Sequence, residues 1–425
     1  MLRTKIGILT VIFLLMTVSS IVAIDEVTGL VGDVALIGAD YNVYTYATDT
    51  TDITQLTDDA DSVGRYQWAT WSNDGRLAYF CCESNPVGRA FISQNSETSG
   101  ELAYEREGSI IIYASWSPAN CGENCRELAL LSSNLNTGTL DIDIVEDSNN
   151  PQITTIASGN PFYFHWDSTG TQMIFHRYNE SLDIYSRTQN DITASIENSA
   201  GTFQAPVWSP VDDRVLVALP GADPGLSQLA IISGDNITIV DEDISGFLSF
   251  SWSPDGSKIA YRSFDEFGVS PIILFDADTG EAISVVDNGA ALAFFWSPDS
   301  TKIAYITLSD TDNTRNASAG VRVNQSFVQN DSPTYLNWNV LDIEGQRNLS
   351  YSSFIPTYEF LYLLTYFEQF APSHRLWSPD SRYLLFTGGL NENQRIPMGY
   401  ILDTENPDSE PGAIADAVFA TWSFE

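Results

Sequence analysis

The sequence predicts an all-β fold: a single closed β-propeller of about eight four-stranded blades with one short helical insertion. Three observations predict this fold. A turn motif recurs eight times, the copies are spaced almost evenly, and partial repeats stand at both ends of the sequence. Units of about 40–50 residues that each carry a tryptophan-containing turn are typical of propeller blades.

The repeated unit is an apolar strand that ends in Trp-Ser-Pro-Asp-Gly and is followed by a second β-rich strand. The clearest copy begins at Trp252, with Pro and Gly at positions that tight turns favour. Eight of the ten tryptophans belong to the motif: Trp71, Trp116, Trp166, Trp208, Trp252, Trp296, Trp377 and Trp422. Because they recur in every unit, we interpret them as packing residues between blades rather than as parts of a site.

The spacing of the copies predicts how the blades are built. Successive motif tryptophans lie 45, 50, 42, 44, 44, 81 and 45 residues apart. In the clearest unit, alternating apolar segments predict four strands, at residues 250–252, 258–262, 272–275 and 282–286. The interval of 81 residues is the exception, and we interpret it as one blade with two insertions, with a ninth, degenerate blade as the alternative.

Both ends of the sequence contain part of a unit. Three strand-like segments without a preceding first strand lie at residues 34–37, 43–46 and 53–56, and a lone first strand lies at residues 417–422. Together these segments complete one blade. We therefore expect residues 25–425 to form one domain in which the terminal strands share a blade and close the ring, which leaves no central edge strand exposed.

The two insertions differ in character. Residues 310–331 are polar and predict a surface loop. Residues 356–372 are rich in aromatic and aliphatic side chains and lie between Pro356 and Pro372, which predicts a helix. Too many of these side chains are apolar for one buried stripe, so the helix is expected either to pack on two sides or to expose an apolar face.

Composition and the first residues bear on location. Acidic residues outnumber basic ones by 56 to 19, for a net charge of −37, which disfavours nucleic acid and anionic membranes as partners. Residues 1–24 combine Arg3 and Lys5 with an apolar run and small residues, as in a signal peptide or an uncleaved N-terminal anchor. We expect a secreted or periplasmic monomer that contacts a membrane only through such an anchor.

The four cysteines fit an oxidising compartment. Cys121 and Cys125 are close enough in sequence to close a small disulfide loop. Cys81 and Cys82 are adjacent in a predicted strand and are expected to point to opposite faces. Their pairing does not follow from the sequence.

The repeats resemble the WD-repeat-like propeller repeats of TolB, the periplasmic protein of the Tol-Pal system, and of propellers that precede some serine peptidases. The resemblance covers nearly everything after residue 30 and rests on the Trp-Ser-Pro-Asp-Gly copies. It implies the fold, whereas propellers serve many functions. The sequence shows neither the separate N-terminal domain of TolB nor a hydrolase domain, so neither a Tol-Pal role nor a peptidase role is carried over.

Linear motifs for catalysis are absent from the sequence. It has no Gly-x-Ser-x-Gly elbow, no His-Glu-x-x-His helix and no phosphate-binding loop. We therefore predict no catalytic residue, no metal site and no cofactor. Calcium stays an open alternative, because Asp241 and Asp243 begin like a calcium loop, although the twelfth position holds Trp252 instead of Glu.

The candidate binding site lies at the helical insertion. His374 and Arg375 follow it directly and are expected to present donors to an anionic or polar ligand at one mouth of the channel. The insertion itself supplies Phe360, Tyr366 and Phe367. Residues just before other motif tryptophans complete the expected ring: Trp68, Tyr113, His165 and Gln204.

These residues leave three functions open. The first is binding of a protein or peptide partner of the cell envelope, since the sequence predicts a large rigid surface without catalytic motifs. The second is binding of a small polar ligand such as a sugar. The third is a lyase or glycosidase that uses carboxylates in the channel. In the alternative without any site here, the helix only plugs the channel and Arg375 pairs with a carboxylate.

Overall fold

The computed structural model describes residues 30–82, 86–148, 151–178, 180–197, 205–265, 268–286, 291–309 and 333–425. The expected signal segment, the polar insertion at 310–331 and Gln204 lie outside the described residues. Within the described part, no helix is long and apolar enough to cross a membrane.

The described residues form antiparallel sheets, five of which have four strands. One sheet joins the two ends of the chain, in the order β3 (Ile53–Gln55), β2 (Val43–Ala47), β1 (Asp33–Ile37) and β32 (Phe419–Trp422). The next two are β4 (Tyr66–Trp71), β5 (Leu77–Cys81), β6 (Val87–Ser93), β7 (Glu101–Glu107), and β8 (Ser109–Gly122), β9 (Cys125–Asn134), β10 (Thr139–Asp147), β11 (Ile153–Gly159).

The middle of the chain continues this pattern. Two further four-stranded sheets are β12 (Pro161–Trp166), β13 (Gln172–Arg177), β14 (Ser181–Ser186), β15 (Asp191–Glu197), and β16 (Val207–Trp208), β17 (Val215–Pro220), β18 (Leu226–Ser233), β19 (Asn236–Ser245). A five-stranded sheet has β20 (Phe247–Trp252), β21 (Lys258–Asp265), β23 (Ile272–Asp276) and β24 (Ala282–Val286), with β22 (Gly268–Val269) beside β21.

The last sheet has seven strands: β25 (Ala291–Trp296), β26 (Lys302–Leu308), β27 (Leu336–Asp342), β28 (Arg347–Pro356), β29 (Tyr383–Gly389), β30 (Met398–Asp403) and β31 (Gly412–Asp416). Only Ile355 and Pro356 of β28 pair with β29. The first strand expected before Trp377 is reduced to isolated bridges, from Trp377 to Leu384 and from Arg375 to Trp422.

The all-β class and the four-stranded unit predicted from the sequence are confirmed, and the arrangement is consistent with a β-propeller. Three short helices occur among the described residues: α1 (Ala60–Val63), which was not predicted, α2 (Tyr358–Thr365) and α3 (Phe367–Phe370). The last two form the predicted helical insertion. Thr357 begins α2, because its side-chain oxygen accepts a hydrogen bond from the Phe360 backbone N–H at 3.1 Å.

The recurring Ser and Asp of the motif build its turn. In the clearest copy, the Ser253 hydroxyl donates to Asp255 at 2.5 Å and accepts from the Lys258 backbone N–H at 2.9 Å. The same bonds recur in the turns that start at Ser72, Ser297 and Ser378. The turn therefore satisfies its polar groups locally and starts the second strand at a fixed position.

The motif tryptophans connect neighbouring sheets. Each is buried or nearly so, and the indole N–H of Trp252 donates to the carbonyl of Val207, one residue before the preceding motif tryptophan, at 3.1 Å. Three others make the equivalent bond at 3.0–3.3 Å, to the carbonyls of Thr70, Ser115 and Phe295, and the Trp296 indole donates instead to the Ser251 hydroxyl at 3.1 Å. These bonds, together with the buried indole rings, hold the first strands of adjacent sheets side by side.

The helical segment, residues 358–373, packs against the first strands of many sheets. Phe370 of the segment contacts Trp68 of β4 and Tyr113 of β8. Gln369 bonds to β12, Glu368 bonds to β20, and Phe367 packs against β25. Phe360, Leu363, Phe367 and Phe370 are each at most 2% exposed. The segment therefore packs on several sides and lies between the first strands.

Several first strands bulge beside this segment, β4 and β12 among them. The register of β4 shifts between Gln67 and Thr70, and that of β12 shifts between Phe162 and His165. Within the bulges, Trp68 and Tyr163 have φ of 53° and 46°, in the left-handed region that bulky side chains avoid. Such conformations cost about 1–3 kcal/mol each, and for Trp68 the stacking on the helical segment offsets this cost.

One expectation about local structure needs correction, and one open alternative concerns residues that lie in a strand. Cys82 does not lie in a strand: it follows β5 with φ of 96°, and its side chain forms a disulfide with Cys81 instead of pointing to the opposite face. Asp241 and Asp243 lie in β19 rather than in a calcium loop, and no group of three or more candidate metal ligands occurs among the described residues. Cys121 and Cys125 form the predicted disulfide at the tip of the β8–β9 hairpin.

Candidate functional site

A cavity of about 370 Å³ lies where the first strands end, and we call it the motif cavity. Its wall contains seven of the motif tryptophans: Trp71, Trp116, Trp166, Trp208, Trp252, Trp296 and Trp377. The third motif position of seven of the eight copies also lines it: Asn73, Pro118, Ser168, Pro210, Pro254, Pro298 and Phe424. Phe367, Ala371 and Pro372 of the helical segment close one side. The repeat therefore builds a largely apolar cavity around one common centre.

Arg375 is the candidate residue that gives this cavity a charge. Its guanidinium lies over the ring of Phe424, with 3.7 Å from Cζ to the ring centroid. Within the described part of the chain, no carboxylate lies within 4.0 Å of it and its side chain makes no hydrogen bond. Burial lowers the pKa of Arg375 to about 10, so the guanidinium stays protonated at neutral pH.

Three other titratable side chains line the motif cavity. His165 accepts a hydrogen bond from the Trp208 backbone N–H at its Nδ1, 3.3 Å away, and burial lowers the pKa of His165 to about 4, so the ring is neutral. Glu368 bonds to the hydroxyl of Ser249, and burial raises the pKa of its carboxyl. Asp167 accepts hydrogen bonds from the backbone of its own turn.

A second, smaller cavity of about 250 Å³ lies at the other end of the first strands, and we call it the opposite cavity. Trp68 lines it together with Tyr358 and Glu359 of α2. Arg65 also lines it, 4.2 Å above the ring of Tyr41. The helical segment therefore separates two cavities that open at opposite ends of the same strands.

The structure brings only some of the predicted site residues together. Arg375, His165 and Phe367 line the motif cavity, whereas Trp68 lines the opposite cavity. Tyr366 is half-buried within the helical segment, where its ring lies 4.9 Å from that of Tyr362. The expected single ring of ligand-binding residues is thus divided between two cavities.

Other predicted site residues are core residues. His374 is 0% exposed, its Nδ1 lies 2.8 Å from the hydroxyl of Ser373, and its ring packs against Phe370 and Phe419. Burial lowers the pKa of His374 to about 3, so the ring is neutral. Tyr113, 3% exposed, and Phe360, 2% exposed, are also buried. The side chain of His374 therefore faces the core and lines neither of the two cavities.

Sequence reasoning missed Glu368 and Phe424. Phe424 stands where the other motif copies have Pro, Asn or Ser, so comparing the copies position by position would have singled it out. Glu368 is the second residue of α3, and no repeat aligns with the insertion. Its place in the cavity follows only from how the helical segment packs.

Comparisons with known proteins bear on the fold alone. The sequence matches no family model and no curated protein. A structure titled as the eukaryotic initiation factor is similar over 92% of this chain and 98% of that one, with 11% identity and a TM-score of 0.53. Similarity also extends to the propeller domain of the Trilobed protease from Pyrococcus furiosus, with 11% identity, 83% of this chain and 99% of that chain covered, and a TM-score of 0.48. TolB from Acinetobacter baumannii is similar with 11% identity, 83% of this chain and 80% of that chain covered, and a TM-score of 0.38.

Proposed function

We propose that this chain is an exported, non-catalytic β-propeller that binds a protein or peptide partner of the cell envelope at the motif cavity. The observation that carries the proposal is the cavity itself. It is large enough for side chains of a partner, its walls are aromatic, and one cationic group, Arg375, lies on its described wall.

The proposed architecture is a closed ring of eight blades. The sheet that joins β1 to β32 supports closure, since it unites residues from both ends of the chain. The seven-stranded sheet supports the count, because β28 and β29 share only two residue pairs and the sheet divides there into two units. In such a ring the motif cavity is one mouth of the central channel and the helical segment is a plug inside it.

Site-specific photocrosslinking tests the proposed partner site. A photoreactive amino acid at Asn73 would stand exposed on the rim of the motif cavity. One at Tyr358, 68% exposed, would stand at the opposite cavity, and one at Ile192, 38% exposed, would stand on the outer strand β15. We expect a protein adduct of defined mass from native envelope with the Asn73 variant only. Equal adducts from all three positions, or none from Asn73, would contradict the proposal.

The three positions also separate this proposal from the site at the helix mouth that the sequence suggested. An adduct from Tyr358 alone would move the partner to the opposite cavity. Alanine variants of His374 or Phe367 are unsuitable here, because both side chains are core residues and their loss would test folding instead.

A small polar ligand is the second candidate function. The observation that favours it is that Arg375 faces a cavity without a carboxylate partner among the described residues. A volume of about 370 Å³ lies within the range of small-molecule sites.

A further inference from the structure

The ion pairs of the described residues show that Arg375 differs from most arginines of this chain. Eight arginines have a carboxylate within 4.0 Å: Arg76, Arg89, Arg106, Arg126, Arg177, Arg187, Arg214 and Arg382. Acidic residues outnumber basic ones almost threefold, so an arginine finds a carboxylate partner easily. Arg375 instead stacks on an aromatic ring beside a cavity.

Stacking leaves the donors of Arg375 available. A guanidinium has five N–H donors in its plane, and a ring that covers one face does not occupy the edges. Burying a charge without a partner costs free energy, and a bound anion would recover that cost. A planar carboxylate fits such an edge with two parallel hydrogen bonds.

The other groups of the cavity decide which anion fits. His165 is neutral, Asp167 is engaged in its turn, and Glu368 bonds to Ser249. Arg375 is the one cationic side chain of the described lining, and its single charge matches a carboxylate but leaves a phosphate dianion under-neutralised. The tryptophan and proline walls suit an apolar body attached to that carboxylate.

We propose that the motif cavity binds the carboxylate of its ligand through the guanidinium of Arg375, with the apolar part of the ligand against the motif tryptophans. The inference rests on the proposed function and specifies its chemistry. Two sources share this chemistry: a small organic acid, and the C-terminal carboxylate of a peptide.

Matched ligand pairs test the proposal on the full-length mature protein. The small probes are N-acetylphenylalanine and N-acetylphenylalaninamide, which differ only in the carboxylate. The peptide probes are Ala-Ala-Phe with a free C-terminus and the same tripeptide amidated. Binding is measured by calorimetry and by tryptophan fluorescence, since seven motif tryptophans line the cavity. We expect each amide to bind roughly 10- to 100-fold more weakly than its acid, the size of a lost charge-assisted hydrogen-bond pair.

Three variants assign the effect to the residue. Arg375→Gln removes the charge and is expected to weaken binding of the acids by the same roughly 10- to 100-fold while leaving the amides unchanged. Arg375→Lys keeps the charge without the fork and should fall in between. Arg65→Gln is the matched control, because Arg65 also stacks on an aromatic ring but in the opposite cavity, and it should bind like the wild type.

The outcomes separate this inference from the proposed function. Acids and amides that bind equally well, or Arg375→Gln that keeps full affinity for the acids, would overturn the inference. If the amidated peptide still binds and the Asn73 variant still gives its adduct, the proposed partner site is supported, but recognition of a carboxylate is not. If none of the four probes binds the wild type, the carboxylate site is refuted, and the Asn73 crosslink then decides the partner site alone.

Discussion

Replacing a motif tryptophan by phenylalanine measures how strongly the indole N–H links neighbouring sheets. Trp252 and Trp208 form a matched pair, because they are 5% and 4% exposed and end equivalent first strands. The Trp252 indole donates to the Val207 carbonyl at 3.1 Å, whereas the Trp208 indole nitrogen has no hydrogen-bond partner among the described residues.

The expected difference follows from this bond, because phenylalanine keeps an aromatic ring beneath the Arg214 guanidinium, whose Cζ lies 4.9 Å from the Trp252 ring centroid. Both substitutions remove the same volume, so the packing losses largely cancel when the two variants are compared. Trp252→Phe also removes a buried hydrogen bond and leaves a carbonyl short of a donor, while Trp208→Phe removes a donor that was already unsatisfied. We therefore expect Trp252→Phe to lower the free energy of unfolding by about 2 kcal/mol more than Trp208→Phe does.

Urea unfolding followed by circular dichroism gives this comparison directly. The two variants should share the wild-type dependence of unfolding free energy on urea, so that the difference appears in the midpoint. If Trp208→Phe is as destabilising as Trp252→Phe or more so, the indole bond does not link the sheets and ring packing alone does.

Three further predictions concern the helical segment, pH and the hairpin disulfide. Phe370→Ala should lower the free energy of unfolding, measured in urea, by about 3–5 kcal/mol. Tyr358→Ala, on the exposed side of the segment, should change it by less than about 0.5 kcal/mol. Similar costs for the two variants would mean that the segment is not packed between the strands. The pKa of His374 is lowered in the folded protein, so on acidification the unfolded chain binds a proton at this histidine at a higher pH than the folded protein does. The free energy of unfolding should therefore fall as pH drops below about 6.5, by up to about 1.4 kcal/mol per pH unit. His374→Gln should reduce that slope between pH 6.5 and 5, and an unchanged slope would exclude the assignment. Replacing Cys121 and Cys125 by Ser should cost about 2 kcal/mol, and no change in the urea midpoint would show that the loop stays closed without the bond.

The strands were the most predictable part of this molecule. Strand segments predicted at 258–262 and 282–286 correspond to Lys258–Asp265 and Ala282–Val286 in the structure. The reason is that each unit repeats the same local signals, an alternating apolar pattern and a turn with Pro, Asp and Gly, and each is satisfied within its own sheet. The helix between Pro356 and Pro372 was predictable for the same reason.

The candidate site was predictable only in part. Arg375 was found because it follows the insertion directly, but the sequence could not show which way neighbouring side chains face. His374 and Arg375 are adjacent, yet one packs in the core and the other lines a cavity. Which way each of these side chains faces depends on where the helical segment lies among strands that are far away in the sequence. For example, the hydroxyl of Thr70 donates to the carbonyl of Ser373, 303 residues later. No local sequence pattern encodes such a contact.

The position of the helical segment also constrains the order in which the chain acquires its structure. The segment packs against Trp68, Tyr113 and Phe164, which leave the ribosome long before it does. Until residues 358–373 arrive, the sheets already made surround an unfilled, aromatic interior. Contacts this distant along the chain form slowly, so we expect the earlier sheets to form before the segment packs between them. We therefore expect packing of this segment to be a late step in folding, and a chain truncated before it to expose those aromatic rings to aggregation.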